Sequence, residues 1–152
     1  MKNPLFSVIT VVLNGEKYLE KTIKSVLSQS YKNFEYIIVD GGSTDGTIKI
    51  IKKYNKKISK WISENDRGIY DAFNKGIRLS KGNFVCIVNS DDILKKNALK
   101  IIRNYIIKYP KIDFIFGSVK KHWGVLHGYK PHKIKYSWGF YSSHSTGFYI
   151  KR

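Results

Sequence analysis

Asn89-Ser90-Asp91-Asp92 follows directly on the apolar run Phe84-Val85-Cys86-Ile87-Val88. Two adjacent carboxylates at the carboxyl end of a buried strand are hard oxygen donors, placed at the edge where open α/β sheets bind ligands. A metal-bound phosphate would sit there. Ile37-Ile38-Val39-Asp40 repeats the design and runs into Gly41-Gly42-Ser43-Thr44-Asp45-Gly46-Thr47, a loop whose backbone N–H groups and small hydroxyls can approach a nucleotide. Ser63-Glu64-Asn65-Asp66-Arg67-Gly68-Ile69-Tyr70-Asp71 forms a third polar cluster. Each piece also has a bland reading. The glycine loop makes a turn with a helix cap, and Asp91-Asp92 caps a helix, because Asp is favoured at such positions. Three clusters on one edge of one sheet exceed what capping requires. The loop lacks the Gly-Lys-Ser/Thr ending of a P-loop and the Gly-x-Gly-x-x-Gly of a dinucleotide site, which removes the main support for a nicotinamide enzyme.

The elements that must position these clusters alternate along the chain. Leu5 to Leu13 reads as a buried strand ended by Asn14-Gly15, and Lys17 to Ser28 carries Leu19, Ile23, Val26 and Leu27 at helical spacing. Phe34 to Asp40 is a second strand. Asp45 to Tyr54 is a second helix, with Ser43 or Thr44 as its cap. Lys60 to Ser63 is a short third strand and Ile69 to Leu79 a third helix. Phe84 to Val88 is the fourth strand, followed by a helix from Ala98 to Tyr109 that turns Ile101, Ile102, Tyr105 and Ile106 inward and stops at Pro110. Phe114 to Gly117 is a fifth strand. Such alternation predicts an α/β fold, a mostly parallel central sheet with right-handed crossovers and helices on both faces. After Gly117 the chain turns aromatic and glycine-rich, and its periodicity is weak.

With 152 residues the chain has the size of one domain, and 42% apolar and 14% aromatic residues exclude a disordered class. Cys86 is the only cysteine and lies within an apolar run, so no disulfide framework exists and a buried thiol is expected. No apolar stretch reaches the roughly 18 to 20 residues that span a bilayer, and Met1-Lys2-Asn3-Pro4 lacks a signal-type apolar region. A cytoplasmic protein is expected. The formal charge is +17, and no Asp or Glu follows Asp113. Such a field attracts polyanions, whether nucleic acid, anionic lipid or phosphorylated substrates, and it also follows from a lysine-rich composition bias. Charge alone does not choose the partner.

Taken together, the motifs resemble the nucleotide-binding half of a family 2 glycosyltransferase with the GT-A (Rossmann-like) fold. The segments that carry the resemblance are Ser7-Val8-Ile9-Thr10, Ser25 to Tyr31, Val39 to Thr47, Ser63 to Ile77 and Asn89-Ser90-Asp91-Asp92. Their order and spacing over residues 5 to 92 match the family, and the nearest similarity is to bacterial transferases that build surface polysaccharides. His144-Ser145-Thr146-Gly147-Phe148-Tyr149 resembles the family's His-x-x-x-Phe region. The resemblance divides the chain into a nucleotide-sugar-binding region, 1–117, and the incomplete start of an acceptor-side region, 118–152.

The resemblance implies a nucleoside-diphosphate sugar as donor, a UDP-sugar foremost, with a divalent cation (Mn²⁺ or Mg²⁺) at a DXD-type motif and inversion at the sugar carbon. Asp91 and Asp92 would hold the metal. Val11 and Asn14 would line the base pocket, Asp40 would accept from base or ribose, and Asp66 and Arg67 would complete the nucleotide site together with Asn89, Ser90 and Asp91. Asn89 stands where the first acid of the DXD pattern is expected, and Gly41 stands where an acid is often seen beside the base. An inverting transfer needs a general base. In the family that carboxylate lies beyond the His-x-x-x-Phe region, past Arg152, so a shortened member is expected, with His144 as a metal-phosphate ligand or substitute base. A lone His in an aromatic segment is more often structural. His122, His127 and His132 read as loop residues.

The acceptor class implied is a glycan or a lipid-linked acceptor, and the basic surface favours peripheral contact with the anionic inner face of the cell membrane. A rival reading is an inactive remnant that still binds nucleotide or glycan. A nucleic-acid-binding protein is disfavoured, because its basic residues are scattered over helix surfaces without a recognisable motif. If the basic surface serves peripheral membrane contact, vesicle binding requires anionic lipid and weakens with salt. Co-sedimentation with neutral vesicles to the same extent would rule it out.

Overall fold

The computed structural model describes residues 5–111, 113–116, 119–121, 124–126 and 148–151. Its centre is a sheet whose first strand, β1 (Phe6–Val12), is buried along its whole length. β2 (Phe34–Asp40) and β4 (Phe84–Ile87) flank β1 in parallel, and β3 (Lys60–Ser63) pairs in parallel with β2. Helices α1 (Leu19–Leu27), α2 (Thr47–Lys53), α3 (Ile69–Leu79) and α4 (Ala98–Lys108) lie between or after these strands. β5 (Phe114–Phe116) completes the sheet through β8 (Phe148–Lys151), and β6 (Val119–Lys121) and β7 (Gly124–Leu126) form a separate antiparallel pair. The strand order is β3-β2-β1-β4-β8-β5.

The alternation of side chains along the strands splits the core into two layers. Phe6, Val8, Val12, Tyr36, Ile38, Phe84 and Cys86 face Leu19, Ile23 and Val26 of α1, Ile51 of α2, and Leu99 and Ile102 of α4. Ile9, Val11, Ile37, Val39 and Val85 face Ala72 of α3, with Phe73 and Ile77 packed alongside. Helices therefore cover both faces, as the alternation of elements requires. Each fully buried Ile or Leu contributes about 1.5–3 kcal/mol relative to exposure. α3 sits close to the sheet because Gly76 faces Ile9, where an added Cβ would come 2.5 Å from Ile9 Cγ2.

Three expectations change. β8 lies between β4 and β5 and is antiparallel to both, with Cys86 and Ile115 each opposite Tyr149. A four-residue strand with weak periodicity, about thirty residues beyond β5, carries no local signal of that placement. In α4, Ile101 and Tyr105 are 52% and 44% exposed, and the inward residues are Leu99, Ile102 and partly buried Ile106. Apolar residues occur on every side of this helix, so composition alone could not select its buried stripe. α2 is shorter than expected and begins at Thr47.

Glu20 ties α1 to α2, accepting from Lys53 Nζ at 2.9 Å and Tyr54 Oη at 2.7 Å, with Lys24 Nζ at 3.2 Å. The hydrogen bond from Lys53, then those from Tyr54 and Lys24, lowers the Glu20 carboxyl from the ordinary 4.5 to about 2. A depressed folded pKa stabilises above the unfolded value and loses that effect as pH falls through the folded one. The stability difference between wild type and Glu20→Gln is therefore expected to be constant above pH 4.5 and to vanish towards about pH 2, read from urea melts at each pH. A difference that grows on acidification would contradict this.

Candidate active site

The four parallel strands end at one edge, and a loop leaves it from each. The loop after β1 and the loop after β2 are laced together by side-chain to backbone bonds. Asn14 N–H donates to Ser43 Oγ at 2.7 Å, and Asn14 Oδ1 accepts from Thr44 N–H at 2.9 Å. Gly15 N–H donates to Thr47 Oγ1 at 2.8 Å, Glu16 N–H to Asp45 Oδ2 at 3.1 Å, and Gly46 N–H to Glu16 Oε2 at 2.6 Å. Ser43 and Thr44 thus bind the neighbouring loop instead of capping α2. The N-cap position is Gly46, and Asp45 Oδ1 accepts from Thr47 N–H at 2.9 Å in their place. Hydrogen bonds from Thr47 lower the Asp45 carboxyl below its ordinary range. Asn14 takes φ +50, a left-handed conformation that Asn tolerates better than most residues.

At the end of β2, Asp40 is fully buried. Its Oδ2 accepts from Gly42 N–H at 3.1 Å, Ser43 N–H at 3.0 Å and Ser63 Oγ at 2.7 Å. Asp40 Oδ1 is buried and has no donor. Burying a carboxylate oxygen without a donor is costly, so this atom marks a position where a ligand N–H or O–H is favoured.

The loop after β4 is stapled from beneath by α1. Thr22 Oγ1 lies 2.7 Å from Ser90 O and 2.8 Å from Asp92 O, sharing its proton between them. Ser25 Oγ accepts from Leu94 N–H at 3.0 Å. Buried Gln29 donates from Nε2 to Lys95 O at 2.8 Å, and its Oε1 accepts from Leu99 N–H at 3.2 Å. The alternative that Asp91-Asp92 caps a helix fails, because α4 begins seven residues after Asp91, with Asn97 at its N-cap.

These loops enclose an open cleft of about 460 Å³. Its walls include Val11, Asn14, Asp66, Asn89, Ser90 and Asp91 from the residues expected at the nucleotide site. Leu13, Tyr18, Ile69 and Ala72 add an apolar side. Asp40, Gly41, Arg67 and Asp92 do not line it. Asp92 Oδ2 instead takes the Asn89 Nδ2 amide at 3.2 Å, and Asn89 Oδ1 is a second buried acceptor with no donor. Arg67 is exposed, and its backbone N–H donates to Asp71 Oδ2 at 3.2 Å. His144, and with it most of the 118–152 region, lies outside the described residues. Among the described residues no three His, Cys, Asp or Glu side chains gather into a metal cluster. The oxygen donors present, Asp91 on the cleft and Asp92 behind it, suit a cation that takes one or two carboxylates and completes its shell with phosphate and water.

A model of the Glycosyl transferase family 2 matches residues 7–151. The chain belongs to this family. Glycosyltransferase GlyG of Streptococcus pneumoniae is 37% identical over 117 residues, which is 75% of this chain and 38% of that protein. A PGL/p-HBAD biosynthesis glycosyltransferase of Mycobacterium tuberculosis is 31% identical over 78% of this chain and 48% of its own length. The chain thus spans less than half of either relative. Among solved structures, S. aureus TarS 1–349 in complex with UDP-GlcNAc matches with a TM-score of 0.66 and 32% identity, covering 72% of this chain and 32% of that one. The mannosyltransferase PcManGT from Pyrobaculum calidifontis, in complex with GDP-Man and Mn²⁺, shares the fold at 22% identity and a TM-score of 0.66. The fold of this family 2 member is the expected GT-A type.

Sequence reasoning missed Thr22, Ser25 and Gln29 as the supports of the acidic loop. Their signal was present: polar residues at i, i+3 and i+7 share the inward face of an otherwise amphipathic helix. Replacing Gln29 by Leu strands the buried Leu99 N–H, at about 1–3 kcal/mol, and removes the part-buried bond to Lys95 O. Gln29→Leu is expected to destabilise by about 2–4 kcal/mol in urea denaturation, and a change below about 0.5 kcal/mol would contradict the staple.

Proposed function

We propose that the chain carries the donor half of an inverting glycosyltransferase, which moves a sugar from a nucleoside-diphosphate sugar, a UDP-sugar foremost, to a glycan or lipid-linked hydroxyl. The observation that carries this reading is the pair of orphaned acceptors, Asp40 Oδ1 and Asn89 Oδ1, at strand ends on either side of β1. Asn89 lines a cleft of nucleotide size with one apolar flank, while Asp40 lies buried at the end of β2. Family membership and the UDP-GlcNAc complex of TarS support the same donor class.

In this reading Leu13, Tyr18 and Ile69 shelter the apolar faces of the donor, while Asn89 Oδ1 accepts from a sugar or ribose hydroxyl. Asp40 holds the Gly42 and Ser43 amides rigid and keeps one oxygen for a donor N–H or O–H. Asp91, with Asp92 alongside, would hold a Mn²⁺ or Mg²⁺ ion, whose chemistry when bound is to neutralise charge on the diphosphate leaving group. The acceptor hydroxyl gives its proton to a general base outside the described residues, for which His144 is a candidate. The net charge of +17 supports a peripheral position at the anionic inner face of the cell membrane, near lipid-linked acceptors. Among the described residues no helix is long and apolar enough to cross a membrane.

The test is thermal melting with UDP, GDP and dTDP, each with and without Mn²⁺, alongside Asp91→Ala. A nucleotide at about 100 times its Kd adds roughly 2.7 kcal/mol. UDP is expected to stabilise only with metal, and Asp91→Ala is expected to abolish the gain. No stabilisation by any of the three would overturn the donor-site reading.

A further inference from the structure

β2 and β3 pair in register, Asp40 opposite Ser63, and Glu64 N–H donates to Asp40 O at 3.0 Å. The loops that follow therefore leave the sheet side by side. Asn65 and Asp66 lie directly over Gly42 and Gly41: a Cβ at Gly42 would strike Asn65 Oδ1, and a Cβ at Gly41 would strike Asp66 Oδ2. The two glycines differ in why they are glycine. Gly42 has φ +88, which L side chains rarely adopt. Gly41 is not in the left-handed region, so its backbone would accept any residue, and the obstacle is the Asp66 carboxylate.

That carboxylate is held in place. Its Oδ1 accepts from Gly68 N–H at 2.8 Å, across a glycine at φ +104. Lys75 fastens the loop by donating to Asn65 O at 2.8 Å and pairing with Glu64 at 3.1 Å and Asp71 at 3.3 Å. Among the described residues no donor reaches Asp66 Oδ2, and Asp66 lines the cleft while Asp40 and Gly41 do not.

We propose that Asp66 supplies, across Gly41, the carboxylate that reads the nucleoside of the donor, and that the missing side chain at 41 is what admits it. The inference rests on the nucleotide-sugar reading above and makes Gly41 and Asp66 one specificity unit. A carboxylate only accepts hydrogen bonds, so it matches the ring N–H of uracil, thymine or guanine, or a ribose hydroxyl. An acid at 41 would occupy the same space, and two carboxylates there would repel and displace each other.

The test is calorimetric titration of UDP with Mn²⁺ into wild type, Asp66→Asn, Asp66→Gly, Gly41→Asp and the double variant Gly41→Asp/Asp66→Gly, with ligand-free melts as a control on folding. Each single variant is expected to weaken UDP binding by roughly tenfold or more. Asp66→Asn keeps an acceptor for Gly68 N–H and is expected to melt as wild type. The double variant is expected to bind more tightly than either Gly41→Asp or Asp66→Gly, because the carboxylate returns from the other side. Titration with 2′,3′-dideoxy-UDP separates the two contacts: an Asp66 effect that persists assigns the base, and one that disappears assigns the ribose. Wild-type affinity in Asp66→Asn, or a double variant no tighter than its tighter parent, overturns the proposal while the donor site stands. Wild type that binds no UDP, GDP or dTDP overturns the donor site itself.

Discussion

Strands of a parallel sheet all stop at the same edge, and the chain leaving that edge has no ladder to satisfy its backbone groups. Everything functional in this molecule depends on how that deficit is met. The loop after β4 is met from below by Thr22, Ser25 and Gln29, which present hydroxyl and amide groups to the backbone of residues 90–99. Fully buried, Gln29 acts as donor and acceptor at once and so joins the end of α1 to the beginning of α4. An apolar residue would pack there but would leave the loop free to move, and Asp91 with it.

The same deficit is met after β1 and β2 by reciprocity. Asn14, Glu16, Ser43, Asp45 and Thr47 each spend side-chain oxygens on the other loop's backbone, so neither loop can shift alone. Asp40 closes this arrangement from inside, where two amides and the Ser63 hydroxyl converge on one of its oxygens. The other oxygen stays unpaired, a cost that the proposed ligand would offset by bringing the missing donor. A strongly basic chain keeps a cleft with Asp66 and Asp91 on its walls. In the proposed donor site the overall field would attract an anionic diphosphate and the local acids would sort what binds.

The order and type of the elements up to residue 111 were legible in the sequence because the strands are short apolar runs and the helices, α4 apart, carry a one-sided apolar stripe. β2, β3 and α3 match the expected boundaries residue for residue. Of the residues expected at the nucleotide site, six line one cleft, and Asp40, Gly41 and Arg67 do not. The failures share a cause. Ser43 and Thr44 read as caps, since local sequence cannot reveal that the first loop competes for their side chains. Ile101 and Tyr105 read as core, and β8 went unseen as a partner of β4, because both depend on which surface lies opposite.

The sequence by itself determined an α/β alternation and the three acidic clusters, since these follow from residue type and short-range spacing, and it carried the motifs by which the chain resembles family 2. Tertiary structure alone decided which oxygens are free. It turned one face of Asp40 towards backbone amides, gave Asp92 to Asn89, and laid Asp66 over Gly41. The reason is physical: whether a polar atom is spent or available depends on donors brought to it from distant parts of the chain.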